Sequence, residues 1–168
     1  EGTKEVIKTI DEPITFRLYY SPTFGEISPP HGNYFKRVRE LLEHFQVISG
    51  GKINLKVINP VSFSVEEDEA VKFGIQGVPL DQSGELGYFG MAAVNSTDDR
   101  KTVPFFNPQR EQFLEYDLTR LVFELAEPKK KKIGLITSLL IEADPMLQYK
   151  PWPIMEQVTQ FFEVKSID

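Results

Sequence analysis

Hydrophobic residues recur at helical spacing along NPQREQFLEYDLTRLVFELA, residues 107–126. Leu114, Leu118, Leu121, Val122 and Leu125 fall at i, i+4, i+7, i+8 and i+11, which puts all five on one arc of a helix. Asn107 is suited to cap an orphan N–H, Pro108 to the first helical position, and Pro128 ends the pattern. Burying each leucine contributes about 1.5–3 kcal/mol. At about 100° per residue, Tyr116 and Phe123 land nearly opposite that arc, with Asp117, Arg120 and Glu124 on the flank between them. The leucines therefore predict packing on a sheet. Tyr116, Asp117, Arg120 and Phe123 predict a second, interacting face, turned to the segment after Pro128 or to a partner. Asp117 with Arg120 and Arg120 with Glu124 predict surface ion pairs.

Elsewhere the period changes. Residues 3–10 predict a short amphipathic helix, and Ile14, Phe16, Leu18 and Tyr20 alternate with Thr15, Arg17 and Tyr19 as a half-buried strand. Residues 21–32, SPTFGEISPPHG, carry three prolines and two glycines and predict a functional loop at the strand end. Asn33 is expected to cap a helix through Tyr34, Val38, Leu41, Leu42, Phe45 and Ile48, closed by Gly50 and Gly51. Ile53, Leu55 and Val57 predict a second strand; Ser64 and Glu67 form a capping-box spacing before a helix over 65–73. A third strand follows at Gly77-Val78-Pro79. Residues 86–95 predict a long apolar strand, with a bulge or close backbone approach at Gly87 or Gly90, and a hairpin returns through 102–106. Beyond the lysines, strands over 133–137 and 164–167, with a helix from Trp152 between them, predict a βαβ unit.

Composition narrows the function. The chain has 168 residues, 40% hydrophobic, enough to bury a core. A net charge of −6 argues against a nucleic-acid partner, since phosphate contacts need a broad basic face. Lys129 to Lys132, the only basic run in sequence, reads as a solvated linker past a helix end. The absence of cysteine removes disulfides, thiol catalysis and cysteine-ligated metals. His31 and His44 alone give little material for a triad or a zinc site, and no Walker A, GxGxxG or GxSxG occurs. The acidic run Glu66 to Glu69 fits the dipole of a first helical turn better than a metal or acid/base site. Neither cofactor nor metal is expected.

The order β-α-β-α-β-β-α over 14–126 resembles a thioredoxin-like domain. In that resemblance Pro79 of KFGIQGVPLDQSGELGYFG takes the place of a proline that is often cis, and Ser21-Pro22-Thr23-Phe24 stands where a redox member carries CxxC. The expectation is an α/β chain in two parts: residues 1–128 as a thioredoxin-like domain without redox cysteines, and 129–168 as a linker and the first unit of a second α/β domain that continues beyond the chain.

A closer resemblance covers nearly the whole chain. TKEVIKTIDEPITFRLYYS, LLEHFQVISGGKINLKVINP, KFGIQGVPL and VPFFNPQREQFLEYDLTRLVFELAEPKKKKIGLI together resemble the extracytoplasmic region of the gliding-motility-type ABC transporter auxiliary (GldG-like) family, FLEYDLTR being the most specific element. The resemblance implies a non-catalytic component on the extracytoplasmic (periplasmic) face of the inner membrane, anchored by segments outside this chain. Its implied partners are an ABC permease and an ATPase on separate subunits. The alternative expectation is a small-ligand binder or enzyme using the 21–32 loop and Pro79, through Ser21, Pro22, Thr23 and Phe24, with Tyr20, Glu26 and His31 nearby.

Overall fold

The computed structural model describes residues 2–82 and 84–126 in full and the backbone of 131–135 and 162–166. It is an α/β protein whose chain divides into two compact units, residues 1–128 and 129–168.

In the first unit, β1 (Ile14–Tyr20) lies between β2 (Ile53–Ile58), to which it is parallel, and β4 (Leu86–Val94), to which it is antiparallel. The far edge of β4 is shared by β3 (Gly77–Pro79) and β5 (Arg100–Val103), both antiparallel to it. This makes a five-stranded mixed sheet in the order β2-β1-β4-β3, with β5 also on β4. The helices are α1 (Gly2–Lys8), α2 (Pro22–Ile27), α3 (Pro29–Ile48), α4 (Val65–Lys72) and α5 (Leu114–Ala126), the last entered through a 3-10 turn over Pro108–Phe113.

Alternation along β1 divides the core. Phe16, Leu18 and Tyr20 join Phe45 of α3 and Leu118 and Val122 of α5 on one face. Tyr19 points to the other, where it packs with Ala70, Ile75, Tyr88 and Ala92 beneath α4. Reading Tyr19 as a polar-side residue is therefore corrected: α4 covers that part of the sheet and leaves Tyr19 wholly buried. The five apolar residues of the leucine arc are all buried, as their spacing predicts. Along the outer edge of β2, the N–H groups of Ile53 and Leu55 donate to Ser49 Oγ and Gln46 Oε1, both at 3.0 Å, so the C-terminal end of α3 caps part of that edge.

The loop expected over 21–32 is helical. Pro22 and Pro29 open α2 and α3, where a missing N–H costs nothing, so prolines that read as loop signals are helix starts. Asn33 accordingly lies inside α3 rather than capping it. The two helices meet at Gly25 and Gly32: a Cβ on Gly25 would stand 3.1 Å from the Gly32 Cα and collide with the Tyr20 hydroxyl.

In the second unit, β6 (Lys131–Leu135) and β7 (Phe162–Ser166) pair in parallel, Ile133 opposite Val164. Both strands begin two residues earlier than their apolar pattern predicts, so Lys131 and Lys132 belong to a strand rather than a linker. The helix expected from Trp152 lies outside the described residues. No described helix is long and apolar enough to cross a membrane.

Candidate functional site

A groove of about 590 Å³ opens where β1 and β2 end, lined by Ser21, Thr23, residues 59–63, Glu67 and residues 84–86. The sites beyond the carboxyl ends of parallel strands are where α/β sheets commonly bind ligands. Ser21 is held there by the sheet: its N–H donates to the Tyr88 carbonyl at 2.9 Å, and its Oγ accepts from the Tyr88 N–H at 3.0 Å. Across the groove, Glu67 Oε1 accepts from the Tyr88 hydroxyl at 2.9 Å and Oε2 from the Phe63 N–H at 2.6 Å. Burial, then the Glu67 carboxylate, pushes the Tyr88 phenol up to about 12, so at neutral pH it stays a donor.

Of the residues expected to form a site, Ser21 and Thr23 line this groove and the others do not. Pro22 is exposed at the start of α2, whereas Phe24 is buried against His31 and Phe105, ring centroids 4.5 and 6.0 Å away. Pro79 is exposed, pairs with Leu86, and follows a trans peptide bond, not the cis bond of the resemblance. Tyr20 stacks on Phe35 at 3.7 Å between centroids, inside the core. His31 Nδ1 lies 2.7 Å from Ser28 Oγ in the first turn of α3, and burial holds its imidazole below the usual value. Tyr20, Glu26, His31 and Pro79 therefore do not form a shared pocket with the groove.

The acidic run divides by helical phase. Glu66 and Asp68 are exposed, while Glu67 and Glu69 reach the sheet. Glu69 accepts from Arg17 Nη1 at 2.7 Å and from the Tyr19 hydroxyl at 3.1 Å. Among the described residues no group of three His, Asp or Glu is placed to hold a metal ion.

Sequence reading missed a basic region, because its members are distant along the chain. Arg17, Lys56, Lys72 and Arg100 line a groove of about 920 Å³ with Phe73, Asp98 and Asp99. The Arg17 and Arg100 guanidiniums sit 5.3 and 5.6 Å from the Phe73 ring centroid.

On α5, Tyr116 and Phe123 are 65% and 52% exposed. Arg120 pairs with Glu124 at 2.9 Å as expected. Asp117 instead accepts from Arg110 of the preceding 3-10 turn, also at 2.9 Å.

Residues 1–94, more than half of the chain, match a domain of unknown function, DUF7088. The chain belongs to the DUF7088 family. The matched segment runs from α1 to the end of β4 and holds every residue lining the groove at Ser21 and Glu67, whereas α5 lies beyond it. No curated protein and no solved structure matches the chain.

Proposed function

We propose that this DUF7088 chain is a non-catalytic interaction domain, auxiliary to an ABC-type transport system of the gliding-motility type. It works on the extracytoplasmic face of the inner membrane, anchored through segments outside this chain. The resemblance of FLEYDLTR and its flanking segments to the GldG-like family supports the transport assignment. A parallel pair followed by an antiparallel hairpin supports a thioredoxin-like plan.

One observation carries the non-catalytic reading. Two of the polar side chains at the groove are engaged with the fold itself, Glu67 with Tyr88 and Phe63, and Ser21 with Tyr88. A catalytic site needs groups aimed at a reacting atom. The exposed apolar side chains are what a binding surface presents.

The test is affinity purification of the full-length protein in mild detergent from its native membrane, with mass spectrometry of what accompanies it. Near-stoichiometric ABC permease and ATPase is the expected result. Recovery of neither would overturn the assignment.

A small-ligand reading keeps one observation in its favour: about 590 Å³ is within the size range of ligand sites. Its groups would be Ser21, Thr23 and Glu67, and it expects Thr23→Trp to abolish a ligand-induced rise in Tm.

A further inference from the structure

Phe63 lies in the connection between β2 and α4, with its side chain fully exposed. Its φ is +65°, in the left-handed region that a bulky residue normally avoids. The conformation is held from outside the residue: the Phe63 N–H donates to Glu67 Oε2 at 2.6 Å, and Glu67 Oε1 accepts from the buried Tyr88 at 2.9 Å. The next residue closes the clamp, because Ser64 Oγ accepts from the Glu67 N–H at 3.2 Å.

A hydrophobic residue just before a helix cap ordinarily packs on the fourth residue of the helix. Here that residue is Asp68, which offers no apolar surface, and the ring is left in solvent. Val61 and Val65, on either side, are 58% and 79% exposed. The fold thus holds an aromatic side chain in a costly backbone conformation and gains no internal packing from it. Strain maintained by a core hydrogen bond at an exposed apolar tip points to a partner.

Charge indicates the kind of partner. Glu66 and Asp68, both exposed, begin α4 directly behind the tip. They favour a surface bearing Lys or Arg and oppose an anionic lipid surface. We propose that Phe63, flanked by Val61 and Val65, is the anchor by which this chain docks into an apolar cup, rimmed by basic side chains, on a partner protein. Resting on the interaction-domain reading, it assigns that cup to the permease.

The experiment compares full-length wild type with Phe63→Gly and Phe63→Trp in the detergent purification, and measures Tm for each form of this chain. Phe63→Gly relieves the positive φ while deleting the anchor, so Tm is expected to stay level or rise while permease recovery falls about tenfold or more. Phe63→Trp is expected to retain the permease, and Glu66→Lys with Asp68→Lys to lose it several-fold. Equal permease recovery by wild type and Phe63→Gly would overturn the anchor and leave the interaction reading standing. No permease with wild type would overturn both. A marked fall in Tm for Phe63→Gly would make the ring structural. Co-sedimentation of wild type, but not Phe63→Gly, with phosphatidylglycerol–phosphatidylethanolamine vesicles would make the occupant a membrane and overturn the proposal.

Discussion

Replacing Gly90 with alanine probes the point where β4 passes from one partner to the next. β3 pairs with Gly87 and its neighbours, β5 ends opposite Met91, and the chain leaving β5 crosses beside Gly90. A Cβ there would meet the Pro104 carbonyl oxygen at 2.7 Å, the Val103 carbonyl oxygen at 2.8 Å and Ile75 Cγ2 at 2.8 Å. Ordinary C···O contacts lie at about 3.3–3.6 Å, so the 103–104 backbone must retreat by roughly 0.6 Å. Two hydrogen bonds resist that movement: Gln76 N–H to the Pro104 carbonyl at 2.9 Å, and Phe106 N–H to the Phe89 carbonyl at 2.8 Å. Overpacking costs about 1–3 kcal/mol and each of the two weakened bonds about 0.5–1.5, which gives about 2–6 kcal/mol for Gly90→Ala. That is a large part of an ordinary domain's stability of about 5–15 kcal/mol. Urea denaturation followed by far-ultraviolet circular dichroism reads the effect; at a slope of about 1.5 kcal/mol per molar, the midpoint falls by about 1–4 M. Gly84→Ala is the control, because Gly84 has φ +88° and nothing near a Cβ, leaving only a backbone cost of about 1–2 kcal/mol. A midpoint loss for Gly90→Ala no larger than for Gly84→Ala would refute the close approach.

Leu118→Ala, in the buried arc of α5, is expected to cost about 2–5 kcal/mol in the same titration, and Tyr116→Ala or Phe123→Ala no more than about 0.5. If the last two together change neither stability nor permease recovery, the interacting face on α5 is wrong. Tyr19, Tyr34 and Tyr88 are each pushed up to about 12, chiefly by burial, from an ordinary 10.0. The folded state therefore holds protons that the unfolded state releases, and stability is lost as pH rises from 10 toward 12; ultraviolet titration should show these phenolates appearing only with unfolding. His31 behaves oppositely: burial lowers its pKa from 6.5, the unfolded state takes the proton first, and its contribution is lost as pH falls below 6.5. His31→Gln should flatten that part of a plot of Tm against pH.

Local signals account for much of the fold. The leucine arc of α5 and the alternation of β1 were legible because each pattern is set by the geometry of one element. The Ser64 cap was legible too, its Oγ accepting from the Glu67 N–H as the spacing predicts. The 21–32 segment was misread because proline at a helix start and proline in a loop look alike in sequence; the Gly25–Gly32 approach that distinguishes them is between helices. Tyr19 was placed on the wet side because nothing in β1 announces that α4 will cover it.

The candidate site was legible at Ser21 and Thr23 and missed at Phe63 and Glu67. Val61, Phe63 and Val65 formed the available signal, the first two in a connection otherwise made of Ser, Asn and Pro and the third opening α4. Their exposure and the positive φ of Phe63 were not readable, since both depend on what the rest of the chain places nearby. By itself, the sequence determined the buried arc of α5, the alternation of β1 and the Ser64 cap, and that cysteine chemistry is absent, because those follow from short-range periodicity and residue type. Only the tertiary structure decided that Glu67 binds Tyr88 and lifts Phe63 into solvent, and that Arg17, Lys56, Lys72 and Arg100 share one groove. These are contacts between residues far apart in the chain, and no local pattern encodes which of them will meet.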